Sequence, residues 1–86
     1  MQATSFNNFH FAFPELTHKQ YLILESYCMG VTPKKMTVNF NISNSTIKDH
    51  FNAIKTKLNC HSTNDLRFIF LSRLFSEFCY HLSKNL

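Results

Sequence analysis

Residues 44–58 contain the side chains best suited to bind a ligand, because short polar residues and lysines recur there at helical spacing. At about 3.6 residues per turn, one side of such a helix carries Ser45, Asp49, Asn52, Ala53 and Thr56. Lysines flank this polar side and leave its centre open. A helix of this kind suits the major groove of DNA, where outer residues can reach phosphates and central residues can reach base edges. An ordinary amphipathic helix with a solvated outer face is the alternative.

The chain carries a net charge of +4, and its middle third contributes most of the excess. Residues 32–61 contain five lysines against one aspartate, whereas residues 1–31 contain one lysine against two glutamates. A local basic surface is typical of proteins that bind polyanions, although solvated faces are also often charged. Hydrophobic residues make up 44% of the chain, a proportion typical of a folded globular domain.

Enzymatic chemistry, metal sites and membrane spans find little support in the sequence. The five histidines are scattered, and no nucleophile, paired carboxylate or glycine-rich phosphate loop accompanies them. Cys28, Cys60 and Cys79 form no C-x-x-C pair, so we expect free thiols rather than disulfides or a zinc ribbon. No apolar run approaches the roughly 18 residues of a membrane span. We therefore expect a cytoplasmic protein that is not an enzyme and that uses neither a metal nor a cofactor.

Capping signals predict four helices, so the expected fold is all-α. Hydroxyl residues that can cap a helix N-terminus occur at four places, namely Thr17, Thr32, Ser43 and Ser62. Residues that tolerate a left-handed conformation follow the first three helices, namely Gly30, Asn41 and Asn59. The predicted helices cover about 18–29, 33–40, 44–58 and from 62 onward, and the last is long for a small domain.

The third helix also has a hydrophobic side, which predicts its orientation. Its core-facing stripe consists of Ile47, Phe51, Ile54 and Leu58. About three residues separate the second and third helices, which is the spacing of a helix-turn-helix. The polar side described above should therefore face outward.

The first fifteen residues lack capping signals and are predicted to form an extended arm. Phe9, Phe11 and Phe13 recur at every second position, a pattern typical of extended chain. Phenylalanines are costly to leave in water, so we expect the arm to pack against the protein. The expected organisation is an arm over residues 1–15 and one domain over 16–86.

Two runs of residues carry a resemblance to a known family. Residues 16–20 read LTHKQ, against a family pattern of LTxRE, and residues 42–50 read ISNSTIKDH, against ISxxTVKxH. The stretch from Leu16 to Leu66 thus resembles the LuxR-type, or GerE-type, helix-turn-helix of bacterial regulators. Asparagines stand where glycine is usual at the two later helix exits, and Gln20 stands where the family has an acidic residue.

The resemblance implies a sequence-specific transcription regulator that reads double-stranded DNA with the helix at 44–58. It implies that Lys48, Asp49 and Asn52 face bases, and their chemistry allows this, since lysine can donate to guanine, asparagine can pair with adenine and aspartate can accept from cytosine. The expected contacts with the phosphate backbone are Lys34, Lys35, Ser43, Ser45, Thr46, Lys55, Thr56 and Lys57. For the two lysines of the second helix, simple solubilising charge is an equally good interpretation.

The last helix carries two apolar faces, and one small core cannot bury both. Leu66, Ile69 and Phe70 share one face and are expected to close the domain. The second face consists of Leu71, Leu74, Phe75, Phe78 and Leu82. It could dock the N-terminal arm or pair with a second copy, and the resemblance favours a homodimer, because the last helix is the usual dimer contact in that family. The rival interpretation is a helix-turn-helix module that binds another regulator or RNA polymerase instead of DNA.

Overall fold

Four helices and no strands make up the described part of the protein. The structure, a computed structural model, describes residues 9–84. The helices are α1 (His18–Cys28), α2 (Pro33–Phe40), α3 (Asn44–Lys57) and α4 (Thr63–Lys84). The all-α prediction is confirmed, and α4 is the longest helix, as expected. Over the described range, no helix combines the length and the apolar character needed to cross a membrane.

Side-chain caps fix the starts of the helices. The hydroxyl of Thr17 accepts a hydrogen bond of 3.1 Å from the Gln20 backbone N–H, and Gln20 Oε1 accepts one of 3.0 Å from the Thr17 N–H. This reciprocal pair is the predicted capping box. The other predicted caps accept from the backbone three residues ahead in the same way, namely Thr32, Ser43 and Ser62.

Positive backbone φ angles end the first three helices at the predicted residues. The angle is +94° at Gly30, 55° at Asn41 and 56° at Asn59. Among residues with a Cβ atom, asparagine tolerates this conformation best, because its short polar side chain can hydrogen-bond locally. Only residues 41–43 separate α2 from α3, which confirms the helix-turn-helix spacing.

The core lies where α1, α3 and α4 meet. The rings of Phe13, Tyr21 and Phe70 contact one another, with Phe13 stacked on Phe70 at 5.5 Å between centroids. The predicted stripe of α3 is buried, namely Ile47, Phe51, Ile54 and Leu58. Leu66 and Phe70 of α4 are fully buried and Ile69 packs beside them, so this face closes the domain as predicted.

The prediction of an extended N-terminal arm is wrong for the part of the arm that the structure describes. Residues 9–12 form a turn of 3₁₀ helix, and the Phe13 N–H donates to the His10 carbonyl at 2.8 Å. Phe13 is completely buried, whereas Phe11 is exposed. The expectation that this segment packs against the protein is confirmed. The first eight residues of the predicted arm lie outside the described residues.

Arg73 explains why the turn replaces the extended conformation. Its guanidinium donates to the Ala12 carbonyl at 3.0 Å and to both carboxylate oxygens of Glu15 at 2.8 and 2.7 Å. The same group lies 5.0 Å from the centroid of the Phe13 ring. The bidentate pair holds the pKa of Glu15 well below its usual range, at about 2. These contacts come from about sixty residues further along the chain, so local alternation did not reveal them.

Candidate nucleic-acid interface

Three hydroxyl side chains gather at the N-terminus of α3. The hydroxyl of Ser43 accepts from the Thr46 N–H at 3.2 Å, and it shares hydrogen bonds of 3.1 Å with the Ser45 hydroxyl and 2.9 Å with the Thr46 hydroxyl. Ser43 and Ser45 are exposed and Thr46 is half-buried. The helix dipole and the free backbone N–H groups favour an anion at such an end. The structure thus brings together three of the residues that the sequence assigned to phosphate contacts.

The outer side of α3 is exposed and polar, as the pattern predicted. Lys48, Asp49, Asn52 and Thr56 are all exposed. Within residues 9–84, none of these four side chains takes part in a hydrogen bond or ion pair. Their donors and acceptors therefore remain open for a ligand that approaches α3 from outside.

Lys57 has a partner that sequence reasoning missed. Its amino group donates to Oε1 of Gln20 at 2.8 Å, which joins the end of α3 to the start of α1. Gln20 is only 9% exposed, and the same oxygen already accepts from the Thr17 N–H. Thirty-seven residues separate this pair, so no local spacing indicated it. The Lys57 side chain is exposed and lies beside α1.

The two lysines of α2 lie in its first turn. Lys34 and Lys35 are exposed, and neither forms an ion pair in the part of the chain that the structure describes. Their position allows both interpretations given above, a contact with the DNA backbone or a solubilising charge.

A shallow groove runs along one edge of α3. Its volume is about 250 Å³, and it is lined by Tyr27, Pro33, Lys48, Phe51, Asn52, Lys55 and Thr63. We call it the basic groove, because Lys48 and Lys55 supply charged groups to it. Beside it, the Arg67 guanidinium lies 4.3 Å from the centroid of the Tyr27 ring. Sequence reasoning predicted a role for neither Tyr27 nor Arg67 at this surface.

The second face of α4 lies uncovered in the described structure. Leu71, Phe75, Phe78 and Leu82 are exposed, and Leu74 is half-buried against the core. An open groove of about 670 Å³, here called the apolar groove, is lined by Phe9, Phe68, Leu71, Ser72, Leu74, Phe75 and Phe78. Phe68 is 75% exposed and extends the predicted set toward the N-terminus of α4. Exposed apolar surface of this extent is typical of an interaction site.

The cysteines offer no alternative site. All three are free thiols, and burial raises the pKa of Cys28 to about 12, so this thiol stays protonated near neutral pH. No three histidine, cysteine or acidic side chains lie close enough to hold a metal ion in the described ranges.

These observations define the class of protein. Four capped helices, with a three-residue turn between α2 and α3 and an open polar side on α3, make a helix-turn-helix domain. Residues 14–69, more than half of the chain, match the bacterial regulatory proteins of the luxR family. The chain belongs to this family, which is one of regulatory proteins rather than of enzymes, and the resemblance seen in the sequence is thereby confirmed.

One curated relative has a described role. The chain is 43% identical over 47 residues to a glycerol metabolism activator of Pseudomonas putida. The match covers 55% of this chain and 21% of the relative, so the chain corresponds to about a fifth of that protein. No solved structure gives a significant match to the chain.

Proposed function

We propose that this chain is a sequence-specific DNA-binding transcription regulator, or the output domain of one, acting at the nucleoid in the bacterial cytoplasm. The observation that carries the proposal is the outer side of α3. Four side chains there, those of Lys48, Asp49, Asn52 and Thr56, are exposed and lack hydrogen-bond or ion-pair partners among residues 9–84. The helix belongs to a luxR-family helix-turn-helix. In this organisation, residues 16–86 form the DNA-binding domain and residues 1–15 precede it.

In the proposed complex, α3 lies in the major groove of double-stranded DNA. Lys48, Asp49 and Asn52 contact base edges, because they are exposed and carry the donor and acceptor types that bases recognise. The phosphate backbone is contacted from the start of α3, from its edges and from the first turn of α2, that is by Lys34, Lys35, Ser43, Ser45, Thr46, Lys55, Thr56 and Lys57.

We further propose that the regulator is a homodimer held by the second face of α4. This face is made of Leu71, Leu74, Phe75, Phe78 and Leu82. Pairing two copies would remove several large apolar side chains from water at once, which is the dominant favourable contribution to association. A two-fold dimer would read an inverted repeat.

Selection from a pool of randomised duplexes tests the proposal. The wild-type chain should enrich a defined sequence with inverted-repeat symmetry. A variant with both Lys48→Ala and Asn52→Ala, which changes only exposed side chains, should fail to enrich that sequence. Failure of the folded wild-type chain to enrich any sequence, and to bind duplex DNA in dilute buffer, would contradict the proposal.

The apolar groove supports a second candidate, a module that binds another regulator or RNA polymerase through α4. Its lining is almost entirely apolar and faces outward. Salt dependence separates the two candidates. A DNA binder with several phosphate contacts should lose about a hundredfold or more in affinity between roughly 50 and 200 mM salt, whereas an apolar protein contact should change little.

A further inference from the structure

The basic groove combines charged groups with an aromatic wall. Lys48 and Lys55 of α3 line one side, and the rings of Tyr27 and Phe51 meet edge to face at 5.3 Å between centroids. Asn52, a candidate base-reading residue, lines the same groove. A duplex that contacts Lys48 and Asn52 therefore has to pass this groove.

Arg67 lies at the edge of the basic groove on α4. It follows Thr63 by four residues, so the two share one face of the helix, and Thr63 itself lines the groove. The guanidinium is 4.3 Å from the centroid of the Tyr27 ring. A guanidinium held over an aromatic ring by a cation–π contact is restricted in position, and the contact uses none of its N–H donors in a hydrogen bond.

The two arginines of the chain differ in what their guanidinium groups contact. Arg73 binds both oxygens of Glu15 and the Ala12 carbonyl, so its donors are used within the domain. Arg67 is exposed, and it forms no hydrogen bond or ion pair within residues 9–84. A positioned guanidinium with open donors matches the geometry of a phosphate group, which accepts two parallel hydrogen bonds.

We infer that Arg67 binds a phosphate of the DNA backbone, and that the DNA contact surface extends from α3 across the basic groove to α4. This inference rests on the proposed function. Tyr27 acts as a positioning residue, since its ring holds the guanidinium beside the basic groove. The contact adds affinity without sequence preference, because the phosphate backbone is the same at every base pair.

Matched substitutions at the two ends of α4 test the inference. Arg67→Gln removes the cation above Tyr27, and Lys84→Gln removes a cation that lies 5.4 Å from the Tyr80 ring at the far end of the same helix. Binding of each variant to a mixed-sequence duplex of about 30 base pairs, roughly three helical turns, is measured over a salt series. Unfolding in urea confirms that each variant is folded.

Arg67→Gln should weaken binding about five- to tenfold at low salt and lower the slope of log affinity against log salt by about one. Lys84→Gln should leave the affinity within about twofold of the wild type and the slope unchanged, since charge far from the DNA contributes little. Arg67→Lys keeps the charge but not the planar fork, so it should retain the wild-type slope while binding more weakly.

A purely structural role for Arg67 predicts different results. If Arg67→Gln shows the wild-type slope and affinity, the inference is overturned and the proposed function stands. If Arg67→Gln is unfolded, the comparison uses Arg67→Lys. Wild-type affinity in that variant overturns the inference that the planar guanidinium of Arg67 binds a phosphate. If the wild-type chain binds no duplex at any salt concentration, the proposed function fails and the inference fails with it.

Discussion

The amino group of Lys57 donates a hydrogen bond of 2.8 Å to Oε1 of Gln20 and thereby connects the end of α3 to the first turn of α1. The same oxygen accepts from the Thr17 N–H, so one buried amide serves both a helix cap and a contact between helices. The position of α3 relative to the rest of the domain thus depends partly on a neutral side chain where the family has an acid.

Gln20→Glu should stabilise the domain by about 0.5–1.5 kcal/mol. A glutamate retains the capping-box geometry, adds a negative charge to the first turn of α1 and turns the contact with Lys57 into a charge-assisted hydrogen bond. Urea unfolding at neutral pH measures the change. The gain should shrink in a Lys57→Met background, and an equal gain there would show that the interaction with Lys57 is not its source.

Glu15→Gln should destabilise the domain at neutral pH and have progressively less effect in acid. The Arg73 guanidinium lowers the pKa of Glu15 from its ordinary 4.5 to about 2. The pair therefore contributes its full stability above about pH 5, and this contribution is lost as the pH falls from 4.5 toward 2. Because both side chains are about one third exposed, we expect a contribution of about 1 kcal/mol or less.

The pH dependence of that difference is measured by urea unfolding of wild type and variant side by side. Glu77→Gln serves as a control, because within residues 9–84 the ion-pair partner of Glu77 is His81, at the longer distance of 3.8 Å. A difference between wild type and Glu15→Gln that stays constant down to pH 2 would contradict the assignment of the low pKa to this pair.

Lys48→Ala and Asn52→Ala should each weaken binding to the selected DNA sequence by about 1–3 kcal/mol, because each removes a base-edge contact of the proposed complex. Both side chains are exposed, so the free energy of unfolding should change by no more than about 0.5 kcal/mol. Competition titrations against a scrambled duplex measure specific binding, with Lys84→Ala as control. An equal loss of affinity for the selected and the scrambled duplex would show that these residues contact the DNA backbone rather than the bases.

Phe75→Asp should convert the proposed homodimer to a monomer in sedimentation velocity. Phe75 is 69% exposed on the second face of α4, and a carboxylate there could not be buried against a second copy without a large desolvation cost. Phe11→Asp is the matched control, since Phe11 is also exposed but lies on the N-terminal turn, and it should leave the dimer intact. Identical sedimentation of all three proteins as monomers would rule out the pairing.

The parts of the fold that were predictable from sequence depend on local chemistry. A hydroxyl before each helix and a glycine or asparagine after it act within a single turn, so the ends of α1, α2 and α3 could be predicted to within a residue or so. The buried stripe of α3 follows from helical periodicity, which is likewise local. These elements position the candidate base-reading residues, so the outward face of α3 was also predictable.

The features that were not predictable depend on residues far apart in the chain. The turn at residues 9–12 is stabilised by Arg73, and alternating phenylalanines gave no sign of it. Likewise, the cation–π contact of Arg67 with Tyr27 joins α4 to the end of α1 across forty residues. Tertiary contacts of this kind override local patterns and set which cations are engaged internally and which remain open to a ligand.

The length of α4 has a geometric consequence for a dimeric regulator. Its 22 residues span about 33 Å, with the first half fixed to the core through Leu66 and Phe70 and the second half carrying the exposed apolar residues. If two chains pair through the second half of α4, the angle between their α3 helices depends on one direction. That direction is the one in which the exposed apolar face of α4 points relative to the face packed on the core. One residue inserted after Arg73 would turn Phe75 and Phe78 by about 100° and change the spacing between half-sites, while each half-site would keep its own base preferences.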